Sequence, residues 1–229
     1  MKISKSHNNR RYYNWLIYNI NDSFLENHSS YYKGNLYDLG CGEAPYKDFF
    51  LKFADKYIGV DWTKTFHNSQ ADIISDLNKK IELDDKIADT IISISVLEHL
   101  CEPQIFLNEC NRILKNNGHL ILQVPFQWWI HEAPHDYFRY TPHGLKYILK
   151  KAGFTNIEVK AQSGFFSMWI LKINYFSTKL IKGPKLIKFL IKNLLIPFWF
   201  IGQILAPQLD KIDKNWDNET TSYFVIAKK

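Results

Sequence analysis

Residues 124–141 read Val124-Pro125-Phe126-Gln127-Trp128-Trp129-Ile130-His131-Glu132-Ala133-Pro134-His135-Asp136-Tyr137-Phe138-Arg139-Tyr140-Thr141. Two histidines, two acids and an arginine crowd among aromatic rings, a composition suited to moving a proton near neutral pH. His131 and His135 are the candidate bases, with Asp136 as a partner that could orient an imidazole. In the alternative reading Asp136 pairs with Arg139, the rings roof a ligand, and the loop is a structural clasp. A second pattern lies earlier, in Tyr37-Asp38-Leu39-Gly40-Cys41-Gly42-Glu43-Ala44-Pro45. Glycines in such a turn let the backbone approach a ligand, and a helix start supplies free N–H groups. About twenty residues on, Tyr57-Ile58-Gly59-Val60-Asp61 ends in an acid that can accept hydrogen bonds from both hydroxyls of a ribose.

Metal and thiol chemistry are not expected. His131 and His135 are four apart, as on a metal-binding helix, but Pro134 breaks a regular helix and His-Glu-Ala-Pro-His is not the zinc-protease order. Cys41, Cys101 and Cys110 are an odd number without a repeated short spacing, which suggests neither disulfides nor a zinc knuckle and fits a reducing cytosol. Cys41 reads as a small packing residue.

These residues need a scaffold, and the pattern of apolar runs supplies one. Leu36–Leu39, Tyr57–Val60, Ala71–Ile74, Thr90–Ile94, Leu120–Val124, Ile157–Ala161 and Tyr223–Ala227 read as seven strands. Helical patterns separate several of them: Pro45–Phe53, Pro103–Leu114 with Asn116-Asn117-Gly118 as a stop, and Pro142–Ala152 with Thr141 as cap and Gly153 as its end. One further helix precedes the first strand, around Trp15–Ile20. Strands alternating with helices mean a doubly wound, mostly parallel α/β sheet. A single domain is expected, divided into an N-terminal helical segment (1–33), a ligand-binding core (34–163), a basic apolar helical insert (164–212) and the final strand (213–229).

Ala88-Asp89-Thr90-Ile91-Ile92-Ser93-Ile94-Ser95-Val96-Leu97-Glu98-His99-Leu100 and Asn108-Glu109-Cys110-Asn111-Arg112-Ile113-Leu114-Lys115-Asn116-Asn117-Gly118-His119-Leu120 join the two earlier motifs in order. Together with Asp38–Gly42 and Asp61 they closely resemble the class I S-adenosylmethionine-dependent methyltransferases of the methyltransferase type 11 group, over roughly Leu36 to Val124. The resemblance implies a seven-stranded Rossmann-like methyltransferase sheet and S-adenosylmethionine as cofactor. It places the amino-acid part of the cofactor at Asp38, Gly40, Cys41 and Gly42, the ribose at Asp61 with Trp62, the adenine beside Asp76 with Leu77, and Ser95 near the reactive end. Asp72 competes with Asp76. The family's third glycine is Ala44 here, and the interval from Asp61 to Asp72 is too short for a full helix. Glu98 and His99 are common in the family and read as pocket-border or structural residues rather than catalytic ones. The Pro-His-Asp-Tyr-x-Arg-Tyr-Thr segment resembles methyltransferases of bacterial surface-glycan assembly, which implies a sugar hydroxyl as acceptor.

The charge is local. Of 229 residues, 29 are lysine or arginine and 23 aspartate or glutamate. Lys172, Lys179, Lys182, Lys185, Lys188 and Lys192 fall within an acid-free stretch from Phe165 to Leu209, and without them basic and acidic residues balance. That argues against a nucleic-acid binder, whose basic residues lie interleaved with stacking aromatics. From Pro184 to Ile196 the lysines share one helical face among apolar residues, and the apolar run to Pro207 is interrupted by Pro197 and Gln203. This reads as an in-plane helix, with Lys182, Lys185, Lys188 and Lys192 at anionic headgroups, rather than a bilayer span; a covering layer or dimer contact is the alternative. The first residues lack the apolar core and cleavage site of a signal peptide. The expected protein is a cytoplasmic enzyme, peripheral at the inner face of the cell membrane. Its expected reaction is O-methylation of a saccharide or lipid-linked saccharide. The alternatives are an isoprenoid quinone or other amphipathic small molecule as acceptor, or a non-catalytic adenosyl-ligand-binding scaffold.

Overall fold

The computed structural model describes residues 3, 7, 9–62 and 69–229. Part of the stretch read against a signal peptide, and residues 63–68 of the short crossover after Asp61, lie outside the described residues.

The chain divides into two compact units, one of Asn27–Lys160 with Ser222–Lys229 and one of Ala161–Thr221 with the residues up to Glu26. The first holds the sheet. Its strands are β1 (Asn35–Leu39), β2 (Lys56–Asp61), β3 (Ile73–Ile74), β4 (Ala88–Ile94), β5 (Leu114–Pro125), β6 (Thr155–Ala161, whose last residue belongs to the second unit) and β7 (Ser222–Lys228). They form one seven-stranded sheet in the order β3-β2-β1-β4-β5-β7-β6. The pairings β1/β2, β1/β4, β2/β3 and β4/β5 are parallel, and β7 runs antiparallel to β5. Central strands of a parallel sheet are covered on both faces and so read as continuous apolar runs. Leu36, Leu39, Val60, Ile91, Ile92 and Leu120 are accordingly buried completely.

Registers Leu39↔Val60 and Ile94↔Gln123 bring the carboxyl ends of β1, β2, β4 and β5 to one edge. Strand order reverses between β1 and β4, the place where open α/β sheets bind ligands. Helix α3 (Pro103–Ile113) begins on Pro and buries Phe106, Leu107, Cys110 and Ile113 as one stripe. Helix α4 (Pro142–Lys151) starts as expected, Thr141 accepting a hydrogen bond from Gly144 N at 3.1 Å.

Two local expectations give way. The helix read over Pro45–Phe53 is one turn, α2 (Lys47–Phe50), because Ala44 sits at φ +49 and delays its start. Asn116-Asn117-Gly118 does not separate α3 from a later strand. β5 starts at once at Leu114 and carries the three residues as an irregularity, with Asn117 at φ +66 and pairing that steps from Ala88↔Leu114 to Thr90↔His119.

The second unit is helical: α1 (Trp15–Asn27, whose last residue belongs to the sheet unit), α5 (Phe165–Thr178) and α6 (Lys185–Asp210). The run expected to break at Pro197 is one 26-residue helix passing through both Pro197 and Pro207. A proline inside a helix costs about 3 kcal/mol; here a buried polar seam offsets it. Gln203, fully buried, accepts from Leu16 N at 2.9 Å and donates to the carbonyls of Tyr12 and Trp199, and Trp199 Nε1 donates to Ser177 Oγ at 2.8 Å. Gly202 lets α6 approach α5, since a Cβ there would stand 2.5 Å from Ile170 Cδ1.

At the end of α6, Asp210 caps α5, accepting hydrogen bonds from the amides of Gly164 (3.1 Å), Phe166 (2.8 Å) and Ser167 (3.2 Å). Loss of a cap costs about 1–2 kcal/mol. Asp210→Ala is therefore expected to lower the melting temperature by about 2–8 °C, measured by circular dichroism at 222 nm; an unchanged melt would show that α5 does not depend on this cap.

Candidate active site

The turn after β1 is built by backbone. Gly40 and Cys41 donate to Val60 O at 2.7 and 3.2 Å. Gly40 lies at φ +85, and a Cβ would stand 2.4 Å from Val96 Cγ2, so only glycine fits. Gly42 N donates to Asp61 Oδ2 at 2.9 Å, and Asp61 Oδ1 accepts from Trp62 N at 2.8 Å. One carboxylate thus ties the end of β2 to the glycine turn, and each oxygen keeps a lone pair for a further donor. Asp38, under the turn, is buried and accepts from the Tyr57 hydroxyl at 2.6 Å. Burial pushes its carboxyl up to about 7, against the pull of Tyr57 and with help from Asp61. Cys41 packs against Gly59, and burial raises its thiol to about 12, which leaves it no nucleophilic role.

Further along the edge, Asp76 takes part in a local turn, accepting from Asn78 N at 3.0 Å and pairing with Lys79 at 3.0 Å. Burial raises its carboxyl and these partners more than reverse that, so the net shift is downward. Its rival Asp72 is committed to β2, accepting from Gly59 N at 2.8 Å. Leu77 is buried. Ser95, beyond β4, lies at φ +55 and donates to Gln123 Oε1 at 2.6 Å, so its orientation is set by β5.

The loop after β5 is anchored by main chain: the amides of Tyr137 and Phe138 donate to Glu98 O at 2.9 and 3.3 Å. Inside the loop Arg139 forks onto Asp136, Nη1–Oδ1 at 2.5 Å and Nη2–Oδ2 at 2.8 Å. The guanidinium holds the Asp136 carboxyl down at about 2. The same Oδ2 accepts from His131 N at 2.9 Å and stands 3.3 Å from His131 Nδ1. Both readings of Asp136 therefore meet in one geometry, an arginine clamp that also touches an imidazole. His135 points elsewhere: its Nδ1 is 3.2 Å from the Tyr137 hydroxyl, and its ring stands edge-on to Trp62 at 5.3 Å. His135 thereby adjoins the residue that follows Asp61, whereas His131 faces His99, ring centroids 4.8 Å apart.

Three partners were not legible from spacing. Tyr57 and Gln123 act across the sheet on Asp38 and Ser95, from positions that sequence order does not relate to them. Glu98, expected at the pocket border or in a structural role, is completely buried, which spacing does not show; neither carboxylate oxygen has a hydrogen-bond partner, and burial pushes its carboxyl up to about 8.

Residues 37–122 match the family described as methyltransferase domain. A probable S-adenosylmethionine-dependent methyltransferase of Mycobacterium tuberculosis is 27% identical over 94 residues, 38% of this chain and 34% of its own length. A ubiquinone biosynthesis O-methyltransferase of Cereibacter sphaeroides is 22% identical over 159 residues, 55% of this chain and 62% of its own. The chain thus spans about a third of the first relative's length and under two thirds of the second's. Among solved structures, an S-adenosylmethionine-dependent methyltransferase from Archaeoglobus fulgidus shares the fold at TM-score 0.57 and 19% identity, over 90% of this chain and 92% of that one.

Folded protein keeps the Asp38 proton up to about pH 7, whereas an unfolded chain releases it near the ordinary carboxylate value of 3.8. The folded state binds more protons in that window, so stability falls as pH rises through it. Glu98 adds to the same slope, so the comparison between proteins isolates Asp38. Asp38→Asn, which still accepts from Tyr57, is expected to show a shallower fall in melting temperature between pH 4 and 7 than wild type; parallel profiles would overturn the assignment.

Proposed function

Taking residues 37–122 as an S-adenosylmethionine-dependent methyltransferase domain, we propose that the protein methylates an oxygen of a saccharide or lipid-linked saccharide intermediate at the cytoplasmic face of a membrane. The observation that carries methyl transfer is the meeting, at one sheet edge, of the Gly40–Gly42 turn and Asp61 with a loop that presents His131 and His135. These residues suit the cofactor. A Cβ at Gly42 would meet nothing within 4 Å, Asp61 retains acceptor capacity on both oxygens, and Asp38 offers a carboxyl group beneath the turn.

Bound S-adenosylmethionine supplies a methyl carbon on a sulfonium, the carbon–sulfur bond breaking as the acceptor oxygen attacks and its electron pair staying on sulfur. Asp61 and the turn hold and align; alignment is the main contribution an enzyme makes to such a displacement. A hydroxyl acceptor must lose its proton, and His135 or His131 takes it, His135 being favoured by its contact with Trp62.

The acceptor class rests on the Pro134–Thr141 segment and on α6. That helix is long and apolar enough to cross a membrane by length and composition, with only 17% of its apolar window buried. It also carries a buried face, Trp199, Gln203, Ala206 and Asp210, while Leu186, Phe189, Leu190, Leu194, Phe198 and Ile201 are exposed. A spanning helix would have to abandon the hydrogen bonds of Gln203; an in-plane helix keeps them and buries the exposed face in lipid. Lys182, Lys185, Lys188 and Lys192, all exposed, would meet anionic headgroups. The second reading, an isoprenoid quinone acceptor, draws on the ubiquinone methyltransferases among the relatives. Isotopic methyl traced into glycan and lipid fractions of a deletion strain, with and without the restored gene, separates the two: label in a quinone alone overturns the saccharide reading, and label in neither overturns both.

Two variants test the parts. Asp61→Ala removes two hydrogen bonds to a charged group and is expected to weaken S-adenosylhomocysteine binding about a hundredfold in calorimetry, and His135→Ala to slow turnover about 10²–10⁴-fold while sparing that binding. Unchanged affinity in the first, or full turnover in the second, would remove the residue from its role. Each lysine near an anionic surface contributes about 1 kcal/mol, so neutralising all four is expected to weaken sedimentation with phosphatidylglycerol vesicles about a thousandfold; equal sedimentation would leave the lysines as a solvated helix face.

A further inference from the structure

A carboxylate buried without a hydrogen bond is among the costliest groups a fold can hold unless a proton or a cation accompanies it. Glu98 is such a group, with both oxygens unpartnered and no exposed surface. What faces it is not a hydrogen-bond donor at bonding distance but two imidazoles, His99 Nε2 at 3.7 Å and His131 Nε2 at 3.8 Å from Oε1. The donor atoms of the three residues lie within 4.8 Å of one another, the one such group among the described residues.

The tautomers agree with ligation. His99 Nδ1 is 2.6 Å from the carbonyl oxygen of His135, which can only accept, so Nδ1 carries the proton and Nε2 keeps its lone pair toward Glu98. His131 Nδ1 faces two oxygen acceptors at 3.3 Å, Trp129 O and Asp136 Oδ2, against one donor, Arg139 Nη2, at 3.4 Å. The acceptors place its proton on Nδ1 as well and leave Nε2 facing Glu98. A carbonyl and a carboxylate behind two metal-facing imidazoles are the supports that orient histidine ligands and raise their basicity. Glu132 Oε2, 3.9 Å from His99 Nε2, lies within reach as a further oxygen ligand.

We propose that Glu98, His99 and His131 bind a first-row divalent transition-metal ion. Two imidazole nitrogens with one carboxylate leave coordination positions open and suit such ions rather than calcium or magnesium, which prefer all-oxygen sets. Bonds of about 2.0–2.2 Å set donors that share one ion about 3–4 Å apart, so a pair at the 4.8 Å limit closes by about 1–1.5 Å on binding. The ion neutralises Glu98 and fills the gap between groups that otherwise stand just beyond hydrogen-bonding distance. The proposal departs from the expectation of a metal-free protein, which considered His131 with His135, four residues apart, rather than His131 with the Glu98-His99 pair about thirty residues earlier.

The consequence for chemistry rests on the proposed methyl transfer; the binding does not. An open position on the ion holds the acceptor oxygen and makes its hydroxyl proton more acidic, and that proton passes to His135, whose side chain takes no part in the metal set. The two histidines of the loop then have separate tasks, one as ligand and one as base.

Cobalt(II), titrated into chelator-treated, desalted full-length protein, reads the site through its visible absorption. One ion per chain is expected, with binding weakened at least about a hundredfold by Glu98→Gln and by His99→Ala with His131→Ala, and unaltered by His135→Ala. Retained binding of S-adenosylhomocysteine shows that each variant is folded. A second measurement needs no variant: zinc is expected to protect His99 and His131, and not His135, from diethyl pyrocarbonate, mapped by mass spectrometry. No saturable cobalt binding by wild type, equal binding by Glu98→Gln, or equal labelling with and without zinc would overturn the site. Because cobalt binding is measured without any acceptor, a bound ion with no methyl transfer overturns the reaction alone, and methyl transfer without a bound ion overturns the metal alone.

Discussion

The carboxylate of Asp61 holds the sheet edge together as a site. It ends β2, yet each of its oxygens accepts from a main-chain amide, Gly42 N in the turn after β1 and Trp62 N in its own strand exit. Two strands that are merely parallel neighbours thereby acquire a fixed relation between their loops, and the glycine turn is held open by a charge-assisted bond rather than by side-chain packing. The arrangement works only because the register Leu39↔Val60 brings β1 and β2 to an end together and because Gly40 accepts a backbone conformation that Val96 forbids to any larger residue.

Around that edge the protein accumulates carboxylates that differ sharply in how they are held. Asp136 is clamped by Arg139 and stays ionised. Asp38 has one hydroxyl donor and little water, and Glu98 has neither donor nor water-exposed surface. Groups held this way cost stability and cluster at functional sites. The main chain of Glu98 meanwhile anchors Tyr137 and Phe138, so the segment that carries the buried acid also fixes the loop carrying His131 and His135.

The helical unit follows a different logic. Its interior is specified by polar contacts, Gln203 with Tyr12 and Leu16, Trp199 with Ser177, and Asp210 with the start of α5. Its outside is apolar as well: large residues along α6 from Leu186 to Leu205 remain exposed. A polar seam inside and an apolar face outside is the pattern of a helix that takes lipid or another apolar surface as part of its solvent.

What could be read without coordinates was whatever is encoded over a few consecutive residues. Glycine and acid at strand ends, buried apolar runs, a Thr-Pro helix start and an acid-free lysine stretch each depend on local backbone preference or composition, so seven strands, the glycine turn after the first of them and the location of the charge were all legible. Local reading failed where tertiary contacts override local preference: Pro197 did not end α6, whose next turns are held by the buried contacts of Trp199 and Gln203, and Asn116-Asn117-Gly118 became an irregularity inside β5. By itself the sequence determined the order of the elements and the chemistry at their ends. Only the folded structure decided which ends meet, since the order β3-β2-β1-β4-β5-β7-β6 and the approach of His131 to Glu98 arise from pairing between distant segments, and burial, which turns an ordinary glutamate into an unpartnered carboxyl, has no signature in one dimension.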